Sequence, residues 1–140
     1  MSYLKAKSEH NLLAAEILIR NNLHAPSVHC SYYSCFQLSK YALKQFFGID
    51  YKLQEEELTR LKQTKIGKIG THEYVINKLG NEIRNCSKEA YLTFTNNIKE
   101  LKKFRIESDY GNIAVNDEQS SKSLRLSTEL IQLLKINCHL

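Results

Sequence analysis

The stretch PSVHCSYYSCFQLSKYALKQFFG, residues 26–48, decides the fold. Val28, Tyr32, Cys35, Ser39, Ala42 and Phe46 follow one another at steps of four and three. All six therefore fall on one side of a helix and form an apolar stripe that reaches Phe47. Pro26 suits the first turn, where its missing N–H would be unpaired in any case. Gly48 suits the position just past the end, where the chain often turns left-handed. A stripe of this kind must be covered by another apolar face.

Helices on both sides of this stretch supply such faces. Leu4, Leu12, Ala15 and Ile19 line one side of a helix from Ser2 to Asn22, which LHAPS interrupts. A shorter helix is read from Leu53 to Lys62, with Glu55, Glu56 and Glu57 early and Arg60 and Lys62 late, in the order the helix dipole prefers. Thr71 is placed as the N-cap of a fourth helix lined by Val75, Leu79 and Ile83, and Ser87 as the cap of a fifth. In NDEQ, Asn116 caps a sixth while Gln119 reaches back to it, and Leu124, Ser127, Ile131 and Leu134 form its buried line. No segment alternates at a period of two between hairpin turns. The expected fold class is all-α, an antiparallel up-and-down bundle of four to five main helices.

With 140 residues, 42% hydrophobic and 25% charged, the chain has the size and composition of one globular domain, residues 1–140. No apolar run is long enough for a membrane helix, and MSYLKAKSEH has no apolar segment after its basic residues. A cytoplasmic protein without membrane association is expected. The net charge of +5 permits an acidic partner without requiring one. Arg60, Lys62, Lys65 and Lys68 make an acid-free basic run, read as a solvated loop with glycines at 67 and 70 or as a landing strip for phosphates. The absence of interleaved aromatics favours the loop.

The cysteines Cys30, Cys35, Cys86 and Cys138 form no CxxC pair and read as small buried hydrophobes. His24, His29, Cys30 and Cys35 lie close in sequence, but Cys30 and Cys35 project roughly 140° apart on a helix, which suits no single ion. Neither a metal nor a cofactor is expected. No nucleophile elbow, phosphate loop or GxGxxG occurs.

In the fifth helix the apolar line runs Tyr91, Phe94, Ile98 and Leu101, and the next step of four lands on Arg105. The pattern thus carries an arginine inward, with Asp109 one turn further near the edge of the stripe. An inward charge must be paired or used. Two readings stand level: an i, i+4 ion pair at a helix end, or an Arg–Asp–Tyr cluster with Tyr110 that meets phosphate or a partner. Gly111 reads as the C′ residue that ends the helix. Tyr32 is on the buried stripe and needs a partner for its hydroxyl, whereas Tyr33 lies about 100° away on the flank with Lys40. His72 stands at a helix start.

These landmarks, SYYSCFQLSKYALKQFFG (Ser31 to Gly48), THEYVI (Thr71 to Ile76) and RIESDYG (Arg105 to Gly111), resemble in order and spacing those of the HEPN family. The likeness covers nearly the whole chain. It implies an antiparallel domain of four or five helices that usually forms homodimers. Residue by residue, Arg105, Asp109 and Tyr110 match the family's "R--aDY" positions, Tyr32 and Tyr33 its "YY" pair, and His72 its helix-start histidine. Cys30 replaces a basic residue. Many members are toxin ribonucleases in which four to six residues separate an arginine from a following histidine. Here those positions are Tyr110, Gly111 and Asn112, and tyrosine is a poor acid–base group near neutral pH.

The resemblance therefore implies a homodimeric binding or accessory module. Arg105, Asp109, Tyr110, Tyr33 and Lys40 would contact nucleotide, RNA or a minimal nucleotidyltransferase partner of a toxin–antitoxin system. The alternatives are a metal-independent endoribonuclease using Arg105 with Tyr110 or His72, and a structural dimerisation module with a buried Arg105–Asp109 pair.

Overall fold

The computed structural model describes residues 2–64 and 69–140. Among these, six helices and no strand occur: α1 Tyr3–Arg20, α2 His24–Gln45, α3 Tyr51–Gln63, α4 Thr71–Cys86, α5 Lys88–Tyr110 and α6 Asp117–Asn137. Lys65, Gly67 and Lys68 of the basic run lie outside the described residues. No described helix is long and apolar enough to cross a membrane.

Five long helices build an up-and-down bundle, with α2 in contact with α1, α4, α5 and α6. Ser8 meets Ser34 while Ala15 meets Ser27, so α1 and α2 are antiparallel. His24 meets Ser120 and Ser31 meets Ser127, so α2 and α6 run the same way. The expected stripe of α2 is its buried face as far as Ala42, with Val28, Tyr32, Cys35 and Ala42 fully enclosed, but Phe46 is exposed because the helix ends at Gln45. Leu79 and Ile83 from α4, Phe94, Ile98 and Leu101 from α5, and Leu130 and Leu134 from α6 complete the core.

The close approach of α1, α2 and α6 depends on serine. Ser8, Ser27, Ser31, Ser34, Ser120, Ser123 and Ser127 are all buried. Small side chains let the backbones come together, and most of the hydroxyls are satisfied by carbonyls across or along the helices. Ser8 donates to the carbonyl of Ser34 at 2.6 Å and Ser34 donates to the carbonyl of Ser8 at 2.7 Å, a reciprocal clasp between α1 and α2. Ser127 donates to the carbonyl of Ser31 at 2.7 Å and joins α6 to α2.

The helix ends follow local chemistry, with some shifts. Gly48 takes φ +71°, and the Ile49 N–H reaches back to the Leu43 carbonyl, closing α2 as expected. Ser87 caps α5, and Asn116 with Gln119 forms a capping box on α6. α3 begins earlier than expected because Asp50 caps it by accepting from the Leu53 N–H, which moves Glu55–Glu57 out of the first turn. α2 likewise starts at His24, placing Pro26 inside its first turn. The N-cap of α4 is Gly70, and Thr71 is already helical. Gly111 ends α5 in an extended conformation (φ −77°, ψ 144°) and is no left-handed C′ residue. Its glycine is required by space instead, since a Cβ there would stand 2.6 Å from the Glu107 carbonyl oxygen.

Candidate functional site

α5 carries Arg105 inward on the line that holds Phe94, Ile98 and Leu101, and the residue is only 8% exposed. Its guanidinium lies over the rings of Tyr32 and Tyr33, 5.1 and 5.7 Å from their centroids. One turn later Asp109 places Oδ2 3.6 Å from Arg105 Nη1, an ion pair too long for a good hydrogen bond. Arg105 Nε is buried without a hydrogen-bond partner among the described residues. Burying a guanidinium on aromatic faces recovers about 0.5–2 kcal/mol, less than the several kcal/mol its desolvation takes. Its donors are largely unspent among the described residues.

The same Oδ2 of Asp109 stands 2.9 Å from His29 Nδ1, at the N-terminal end of α2. A carboxylate only accepts, so Nδ1 donates the proton of this contact, and the ring is half-exposed. The imidazole packs on Tyr33 at 4.6 Å, one helical turn away. Cys30, beside it, has its thiol pushed up by burial and then by the Asp109 carboxylate.

His72 closes the other side. From the first turn of α4 it stacks on Phe36 at 4.1 Å and lies parallel to Tyr32 at 5.6 Å. Its Nδ1 is 2.7 Å from the Tyr32 hydroxyl. Burial, then the positive charges of Arg105 and Lys102, lower its pKa to about 4. The Tyr32 phenol is pushed up by burial, against the pull of Arg105. With a protonated phenol and a neutral imidazole, the bond is assigned as Tyr32 O–H donating to Nδ1. His72 is then neutral at pH 7 and has no proton to give as an acid.

The structure thus gathers Arg105, Asp109, Tyr33 and His72 from three helices, with Tyr32 beneath them. It leaves two expected residues outside. Tyr110 is 78% exposed beyond the last turn of the cluster. Lys40 points to Tyr51 on α3, 5.7 Å from that ring, in company with Lys44 at 5.0 Å. His29, considered in the sequence only for a metal cluster that its neighbours do not suit, joins the site as well. Its position four residues before Tyr33, on the flank and not the stripe of α2, was the signal for its place here.

Of the four cysteines, Cys35 and Cys138 are buried, Cys30 is half-buried and Cys86 is exposed. No curated protein and no solved structure matched the chain in these comparisons. A family model described as the HEPN domain matches residues 1–137. The all-α bundle agrees with that match. The chain belongs to the HEPN domain family.

Proposed function

We propose that this protein is a homodimeric binding or accessory module whose Arg105 site holds a phosphate group of a nucleotide or RNA. The observation that carries this reading is the Arg105 guanidinium itself, enclosed and, among the described residues, lacking a partner at Nε and paired with a carboxylate at no closer than 3.6 Å. A guanidinium is the side chain best shaped to take two phosphate oxygens at once. Lys102 adds positive charge nearby, and Asp109 holds His29 at the rim. Family membership supports a nucleotide- or RNA-related role. A minimal nucleotidyltransferase encoded by the adjacent gene of a toxin–antitoxin pair is the proposed protein partner.

The test is binding of labelled mononucleotides and mixed RNA fragments to wild type and Arg105→Ala, with helicity checked by circular dichroism. Wild type is expected to bind and the variant to lose at least tenfold in affinity. A folded wild type that binds neither ligand would overturn the reading.

The His29–Asp109 pair favours a second reading, a metal-independent endoribonuclease. His29 Nε2 would take the proton of a 2′-hydroxyl as that oxygen attacks the adjacent phosphorus. The P–O5′ bond would break and the 5′-oxygen would leave with a proton from solvent. Incubating pure protein with RNA decides it: cleavage lost in both His29→Ala and Arg105→Ala would raise this reading above the first.

A further inference from the structure

α4 and α5 pack side by side, and the seam between them leads away from Arg105. Near its far end a cavity of about 210 Å³ is lined by Ile76, Asn77, Gly80 and Asn81 from α4 and by Tyr91, Thr95 and Lys99 from α5. The two edges differ in chemistry. The α5 edge carries Lys99, Lys102 and Arg105 at steps of three, so consecutive members lie on neighbouring parts of one face. Lys102 stands on α5 between Lys99, which lines the cavity, and Arg105, so its place along the helix is between the cavity and the Arg105 site. The α4 edge carries the exposed amides of Asn77 and Asn81, each with donors and an acceptor. Glu73, exposed one turn before Asn77, makes that edge unfavourable for phosphate.

Tyr91 is half-buried at the end of the groove, with Arg84 stacked over its ring at 5.4 Å. The floor is kept low by Gly80, whose place in mid-helix costs about 0.5–1 kcal/mol relative to alanine. A Cβ at that position would stand 3.5 Å from Thr95 Oγ1 and from the Tyr91 ring, filling the space above them. From Tyr91 to Arg105 the helix rises about 21 Å at 1.5 Å per residue, room for several nucleotides and not one.

We propose that the α4–α5 groove is a binding site for single-stranded polynucleotide, with phosphates along Lys99, Lys102 and Arg105 and bases against Asn77, Asn81 and Tyr91. The division of labour is that of other single-strand sites, a basic track for the backbone beside aromatic and amide groups for the bases. Charge complementarity favours a polyanion over a protein segment. The asymmetry of the edges sets which side of the strand faces α5. The proposal rests on the phosphate reading of Arg105 and extends it from one phosphate to a strand.

The experiment compares a mononucleotide, a single-stranded octanucleotide and a duplex of the same sequence, binding to wild type, Lys99→Gln/Lys102→Gln, Tyr91→Ala and Arg105→Ala. The octanucleotide is expected to bind at least tenfold more tightly than either other ligand. In the double lysine variant, whose changes are on the surface and spare the core, the slope of log K against log salt should fall by about 1.4, from about 0.7 per phosphate contact. Tyr91→Ala should weaken the octanucleotide about tenfold and leave the mononucleotide unchanged. Arg105→Ala should weaken both.

Equal binding of mononucleotide and octanucleotide by the wild type overturns the groove while leaving the Arg105 site standing. An octanucleotide affinity unchanged in the lysine and tyrosine variants overturns it also, and would turn the surface over to a protein partner. A wild type that binds no ligand removes both proposals together.

Discussion

At Arg105 a leucine or methionine would pack against Tyr32 without having to shed any hydration. The guanidinium gives up its water for two aromatic faces and one long ion pair. Replacing a buried charge by an apolar chain of similar length is commonly neutral or stabilising by 1–4 kcal/mol. Arg105→Met is therefore expected to hold or raise stability in urea unfolding while losing anion affinity. A loss above about 3 kcal/mol would instead make the arginine a structural member of the bundle. His72 makes a second prediction at this scale. Its pKa falls to about 4 in the fold, below the ordinary value near 6.5. The unfolded chain then takes up a proton at a pH where the folded one does not. Stability from this group is present above about pH 6.5 and is lost as pH falls toward 4. His72→Asn keeps a hydrogen-bonding atom near Tyr32 but cannot titrate. Its Tm should depend less steeply on pH between 6.5 and 4 than the wild-type Tm does. Thiol labelling tests a third point. Burial pushes Cys35 up to about 12, so a disulfide reagent at pH 8 should modify exposed Cys86 quickly and Cys35 only on unfolding.

Gly80 within α4 and Gly111 just past the end of α5 should respond oppositely to alanine. At Gly111 the added Cβ would meet a backbone oxygen at 2.6 Å, so the end of α5 must shift. Gly111→Ala is expected to destabilise by about 1–2 kcal/mol and to disturb the nearby Asp109–His29 contact. At Gly80 the added Cβ finds ordinary contacts at 3.5 Å, so Gly80→Ala should gain about 0.5–1 kcal/mol from reduced chain entropy while narrowing the α4–α5 groove. Urea denaturation of both variants checks the two signs. The helix ends were readable where one residue decides them, by its side chain at Ser87 and Asn116 and by its left-handed backbone at Gly48. They were misread where two candidates compete. Asp50 captured the start of α3 by bonding to Leu53 N–H, and Gly70 took the cap position offered to Thr71.

Across the whole molecule the bundle depends on how closely its helices can approach, and the serines set that distance. A leucine at Ser34 would press on Ser8 and on the α1 backbone in a fully enclosed position. Overpacking of this kind typically costs 1–3 kcal/mol, and here a paired hydroxyl is lost as well. Ser34→Leu should lower the urea midpoint accordingly, whereas Leu13→Ser on the exposed side of α1 should leave it nearly unchanged. The bundle was legible because its signals are local: apolar spacing, caps and the absence of strand alternation each involve residues within a turn or two. Arg105 was legible for the same reason, since rotation about a helix axis follows from spacing alone. What that arginine meets was not. His29 and His72 come from helices distant in the chain, and Lys40, which shares the flank of α2 with Tyr33, turns away to Tyr51. The sequence by itself determined the helices, their buried faces and the inward charge. Only tertiary packing decided which side chains surround that charge, because a helix sets the direction of its residues but not the neighbour that faces them.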